Sequence, residues 1–288
     1  MTTHISNTFS FSRLMMVIKR DFVENWKQNL HTFLSIYAAF LIAALMAYKG
    51  TKDIDPTSIY FAYRLGFFTA VGIISYFLFH ISAAHIMDVL QTKEKRIAFH
   101  MLPATQTEKF VARALQAVVG CFLMIAAALF LTEITRLILL PIIGAPAALQ
   151  HFCLFDLQDI IFKGLHWNTF ESAINNAELD QIKNTVVFNT ICWMLATHSM
   201  FILGGTYFYK RPYIKTFSYL VLGTIIVSFF LGNEFLNLFV ETSDRLGFTV
   251  THSIFNLTIT VVCWSLSYYL FTHSQVTERV NFKFLKRG

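Results

Sequence analysis

Five histidines, His80, His85, His198, His252 and His273, fall in or beside long apolar runs of this 288-residue chain. Imidazole is the side chain best suited to haem, metal or proton chemistry near neutral pH. The spacing argues against a metal pair on one helix: His80 and His85 are five apart and lie on different faces, whereas a zinc peptidase uses ligands four apart. Scattered in this way, the histidines read as hydrogen-bonded packing or interfacial residues. Ser199 stands next to His198, but consecutive residues point in different directions on a helix, and no Gly-x-Ser-x-Gly elbow occurs. Glu133 and Arg136, three apart at the end of an apolar run, suit an interfacial ion pair better than a proton relay. None of the 12 glycines opens a Gly-x-x-x-x-Gly-Lys-Ser/Thr loop, so the chain carries no nucleotide motor of its own. The expectation is a protein with no catalytic residue, no cofactor and no metal site.

The elements that hold these residues are membrane spans. Of the chain, 55% is apolar and only 14% charged, where a soluble domain is about 25% charged. The apolar residues are gathered in blocks of the roughly 17 to 25 positions needed to cross about 30 Å of hydrocarbon. Helices are required, because an open strand leaves its amides unsatisfied in lipid, and the continuous runs do not alternate as a barrel's would. Six spans are expected, at 32–48, 65–87, 111–134, 185–209, 216–233 and 249–271, forming an all-α integral membrane protein of one domain, 1–288. A cleavable leader is not expected, since the first apolar block follows a long amphipathic segment. Cys121, Cys192 and Cys263 fall within apolar blocks and Cys153 in a connection, which gives no disulfide framework.

Basic residues set the direction. With the N-terminus inside, 16 of the 23 Lys and Arg fall on cytoplasmic segments, clustered at Arg13 to Lys27, Lys93 to Arg113, Lys210 to Lys215 and Arg279 to Arg287. The positive-inside rule therefore places both termini in the cytoplasm, with 272–288 as a cytoplasmic tail. The net charge of +6 is better matched to anionic lipid headgroups than to nucleic acid, because no continuous basic stripe is present. The external segment 140–184, opening with Pro141 and Pro146, is too apolar for a solvated linker and is expected to hold short helices that lie on the outer interface or dip into the bundle.

Two cytoplasmic segments carry the most information. Phe11, Leu14, Met15, Ile18, Phe22 and Trp26 recur at spacings of three and four, so 11–29 reads as an amphipathic interfacial helix, either a lipid anchor or a lever on the first span. Between the second and third spans, Thr105 and Glu108 have capping-box spacing, which starts a helix at Gln106. Pro103 favours an extended Leu102 and ends any helix before it. The reading is a short helix, a break and a capped helix. More than twenty residues are used where a few suffice to turn the chain. Their apolar side chains either dock a partner or pack against lipid.

Leu102-Pro103-Ala104-Thr105 followed by Glu108-Lys109-Phe110, between spans two and three, resembles the cytoplasmic loop of a bacterial family of ABC-type 2 transporter permease-like proteins. Ile18-Lys19-Arg20-Asp21-Phe22 with Glu24-Asn25-Trp26 is similar to that family's pre-membrane segment, and Tyr268-Tyr269-Leu270-Phe271 with Ser274-Gln275-Val276 to its end. The resemblance implies a permease subunit of the bacterial cytoplasmic membrane that pairs with a second permease, a copy or a homologue. It also implies binding of an ABC-type ATPase through a coupling helix in this loop. Carried over residue by residue, the contact centres on Lys93, Glu94, Arg96, Phe99, Leu102, Pro103, Glu108 and Lys109. The last external connection, 232–247, departs from the family in being charged. A non-transporting membrane scaffold or sensor, working through 140–184, is the alternative.

Overall fold

The computed structural model describes residues 9–51, 54, 58–90, 92–156, 176–208, 210–240 and 245–273. Every regular element among them is helical: α1 (Phe11–Glu24), α2 (Trp26–Gly50), α3 (Ile59–Ala84), α4 (Lys93–His100), α5 (Gln106–Leu115), α6 (Cys121–Ile142), α7 (Asn176–Tyr207), α8 (Pro212–Val240) and α9 (Arg245–Thr272). Among the described residues, five helices are long and apolar enough to cross a membrane, at Trp26–Gly50, Ile59–Ala84, Gln106–Ile142, Val187–Tyr207 and Val250–Thr272. The predicted span 216–233 lies inside α8, but side chains from residue 230 onward in that helix are outside the described residues, as are 157–175 of the external segment and 274–288 of the tail. Large apolar side chains such as Ile42, Met46, Ile73, Phe122, Ile138, Phe188, Ile225 and Val261 face outward along these helices. Soluble monomers do not expose apolar surface on that scale, and hydrocarbon is the solvent that accommodates it.

Several boundaries move. The amphipathic helix stops at Glu24, not at residue 29, because the backbone breaks at Asn25 and Trp26 already opens the first spanning helix. The second span ends at Ala84, three residues earlier than predicted, and starts six earlier, at Ile59. The third is the apolar part of a helical run from Gln106 to Ile142, interrupted by a π turn over Gln116–Gly120. That run passes through Pro141, which was expected to open the external segment. The helix ends instead in a Schellman motif: Gly144 N–H reaches Pro141 O at 3.1 Å and Ala145 N–H reaches Leu140 O at 2.9 Å, with Gly144 at φ 73°. Only glycine takes that backbone angle without cost, so Gly144 is the physical stop. The fourth span likewise stops at Tyr207, two residues early, and its helix begins at Asn176, inside the segment 140–184 read as external.

Contacts divide the chain into two compact units, one of Met1–Asp21, Phe79–Val118 and Asn184–Gly288, the other of Phe22–Leu78 and Val119–Lys183. In the second, Ile36, Phe40 and Ala44 of α2, Tyr63, Phe67 and Val71 of α3, and Ala128 and Leu140 of α6 form a continuous core. Tyr37 and Thr135 add a hydroxyl contact of 2.9 Å between α2 and α6. In the first, Ala83 and Ala84 pack with Phe99, Phe110, Phe201, Ile202 and Phe271. The small residues matter here: a methyl at Gly205 of α7 would stand 2.8 Å from the carbonyl carbon of Ala84. Backbone thus meets backbone, as small residues permit within membranes.

Gly205→Ala is therefore expected to destabilise the protein by roughly 1–3 kcal/mol. Gly223→Ala, where a methyl meets open space, is expected to be neutral or stabilising by up to about 1 kcal/mol. Thermal melting in detergent distinguishes them, and equal melting temperatures would refute the close approach.

Candidate functional site

α4, α5 and the α1 residues that pack on them make up the site. Thr92 caps α4, its hydroxyl accepting from Lys95 N–H at 3.3 Å. Five residues after α4 ends, Thr105 caps α5: its hydroxyl accepts from Glu108 N–H at 3.2 Å while Glu108 Oε2 accepts from Thr105 N–H at 2.8 Å. This is the capping box that the spacing predicted. The short helix, break and capped helix are present as read.

Glu108 does more than cap. Its Oε1 accepts from Ser10 N–H at 2.6 Å and from Arg13 Nη2 and Nε at 2.9 and 3.2 Å. The carboxylate is fully enclosed, with 0% exposure. Burial alone would raise its pKa, but the Arg13 guanidinium and the Thr105 and Ser10 amides outweigh it and hold the carboxyl below the usual glutamate range. A second ion pair, Arg113 Nη2 to Asp21 Oδ1 at 3.2 Å, joins the same two helices further along. Between them Leu14 and Val17 of α1 bury against Ala112. The remaining apolar stripe of α1, with Phe11, Met15 and Phe22, stays exposed, as does Trp26 at the start of α2, while Ile18 is half-buried.

The eight loop residues separate into two groups. Phe99, Glu108 and Lys109 are buried. Lys109 Nζ donates to His100 O at 2.9 Å and lies 5.9 Å from the Phe99 ring centre, with Arg113 at 5.3 Å from the same ring. These three shape the loop. Burial, then Lys109 and Arg96, push the His100 pKa down, which keeps its imidazole neutral at pH 7. Arg96 and Leu102 are half-buried, and Glu94 and Pro103 are exposed, beside Lys95, Ile97 and Met101, the last 79% exposed. The Lys93 side chain is outside the described residues. Phe110 turns its ring toward Trp264, Tyr268 and Phe271 of α9, and Thr107 and Tyr268 share a hydroxyl contact of 2.8 Å.

Sequence reading missed the partners of Glu108. Arg13 entered only as one of the basic residues that set the orientation, yet Ser10, Arg13, Val17 and Asp21 recur at spacings of three and four and form a second stripe beside the apolar one. An acid and a base on such a stripe were the available signal.

Of the other chemistry-bearing residues, His80 and His198 come within 6.2 Å between ring centres, and His80 Nε2 meets Thr197 Oγ1 at 2.9 Å. No cluster of three metal-ligating side chains occurs among the described residues. The four cysteines are buried and none is in a disulfide, and burial pushes the Cys153 thiol up to about 11. Glu133 and Arg136 form a buried pair, with contacts of 2.8 and 3.1 Å, instead of the expected interfacial one. Arg136 also donates to Leu149 O at 2.6 Å and to His151 O, and Glu133 accepts from Cys153 N–H at 3.2 Å. The pair clamps the chain beyond α6.

No protein-family model, curated protein or solved structure matches the chain. The class its own residues define is a multi-pass helical membrane protein.

Glu108→Gln is expected to lower stability by about 3 kcal/mol, as for a broken buried pair. Thr105→Ala, which removes only a cap, is expected to cost about 1 kcal/mol. Because the folded carboxyl is held low, its contribution is complete above the unfolded value of about 4.3 and disappears as pH falls through the folded value. Melting from pH 7 to 3 should therefore show the wild type converging on Glu108→Gln, and parallel curves would contradict this. Arg136→Met, which strands Glu133, is expected to cost about 3–5 kcal/mol. Glu133→Gln with Arg136→Met together should cost less than the sum of the two, which a double-mutant cycle measures.

Proposed function

We propose that this chain is the membrane-spanning permease subunit of a bacterial ATP-driven exporter of the ABC type, seated in the cytoplasmic membrane. It would pair with a second permease, its own copy or a homologue, and with a separate cytoplasmic ATPase. The observation that carries the proposal is the loop around Leu102. It is held in one arrangement by the enclosed Glu108 carboxylate, yet presents Glu94, Lys95, Ile97, Met101 and Pro103 outward. A loop that merely turns the chain needs neither feature. A force-transmitting contact needs both, because a compliant loop would absorb the displacement. Closure of the ATPase would push on this outward edge and shift the inner ends of α3 and α5.

A scaffold or sensor is the second reading, favoured by the Arg136 clamp that orders the chain after α6. It predicts that deleting 157–175 abolishes partner binding.

Met101→Asp tests the leading proposal, since this exposed side chain can change with an effect on stability within about 0.5 kcal/mol. Affinity purification in mild detergent is expected to recover a Walker-type ATPase with the wild type and at least tenfold less with Met101→Asp. A Met101→Cys crosslink should mark the same protein. Recovery of no ATPase, crosslinked or not, would reject the exporter reading.

A further inference from the structure

α2 and α3 do not close against each other along their whole length. Near the N-terminal end of α2 they leave an open groove of about 570 Å³, within the roughly 300–1,000 Å³ of small-molecule sites. Along α2 the lining runs from Gln28, His31, Thr32 and Ser35 to Ile36 and Ala39, and Ile74 and Leu78 of α3 complete it. The groove exists because Thr32, Ser35 and Ala39 share one face of α2 at helical spacing and are small. The polar side chains are not equivalent. The hydroxyls of Thr32 and Ser35 are turned back onto their own helix, donating to Gln28 O at 3.0 Å and His31 O at 2.8 Å. Gln28 and His31, both exposed, are the polar groups at the mouth.

Polarity and length together identify the occupant. From Gln28 to Ala39 is eleven residues, about 16 Å along a helix, and half of a hydrocarbon core of about 30 Å is nearly the same depth. A groove polar at the membrane surface and apolar for one leaflet matches a molecule with one headgroup and acyl chains. A partner helix would need an apolar face across the whole width. Lys27, the residue before Gln28 and one turn before His31, brings a positive charge beside the mouth, and its ammonium lies 5.8 Å from the Trp26 ring, an aromatic of the type found at membrane interfaces. We propose that this groove is a binding site for one anionic phospholipid of the cytoplasmic leaflet, with phosphate at Lys27, Gln28 and His31 and an acyl chain over Ala39, Ile74 and Leu78. The site does not depend on the exporter reading.

Native mass spectrometry of the full chain, delipidated and titrated with dioleoyl phosphatidylglycerol or dioleoyl phosphatidylcholine, tests it. One phosphatidylglycerol per chain is expected to bind in preference to phosphatidylcholine, and Lys27→Gln to remove the preference. Ser35→Trp and Ala39→Leu, which fill the groove, should weaken phosphatidylglycerol binding at least tenfold. Leu34→Trp, on the neighbouring exposed face, should leave it unchanged. Groove-filling variants that bind as the wild type overturn the proposal. So does a wild-type dimer that these variants dissociate without altering lipid uptake, which would assign the groove to a second copy of the chain. If the bulky variants do not fold, Ser35→Cys reads occupancy directly. Its labelling by a maleimide should slow at least tenfold with phosphatidylglycerol, and an unchanged rate overturns the site.

Discussion

The enclosed carboxylate of Glu108 meets four donors drawn from two parts of the chain, the Thr105 amide of its own helix cap and the Ser10 amide and two guanidinium nitrogens of α1. The arrangement of α1, α4 and α5 depends on it. A buried ion pair adds little net stability over a well-packed apolar pair, because both charges lose their water. Its effect is selective. Any other packing of α1 on α5 strands a charge, so one register is strongly preferred, and the apolar contacts of Leu14 and Val17 act within that register. The break between α4 and α5 is then not slack. It is bounded on one side by the Thr105 cap and on the other by Lys109 donating to His100.

Elements with a local cause could be read from the sequence. The capping box of Thr105 and Glu108, the break at Pro103 and five of the six apolar blocks all depend on residues within a few positions of one another, and each appears close to where it was expected. What the sequence did not disclose depends on distant partners or on a single backbone angle. Arg13 and Asp21 look like ordinary solvated charges until α5 is placed beside them. Pro141 is a helix breaker by type, yet in the last turn of α6 it is tolerated, and Gly144 two residues beyond the helix makes the stop. Glu133 and Arg136 were paired correctly by spacing, but their burial follows from the carbonyls of Leu149 and His151, which no short pattern links to them.

The two clusters of buried charge differ in kind. Around Glu108 an acid collects amides and a base from another helix. Around Arg136 a base collects carbonyls from the chain that follows its own helix, and Glu133 neutralises it while accepting the Cys153 amide. In each case the charged group satisfies backbone atoms that a helix end or an irregular segment leaves unpaired. This explains why such groups occur where regular structure stops and are scarce in the middle of the spans.

The contact between Gly205 and Ala84 constrains mechanics. Side chains that interlock can change rotamer and let helices slide past each other. Two backbones in direct touch have nothing to rearrange, and so the end of α3 at Ala84 and the adjoining turn of α7 travel as one lever. Whatever cycle the protein performs, its pivot must lie away from that crossing, and a thrust delivered at the loop after α3 would be felt at once along α7.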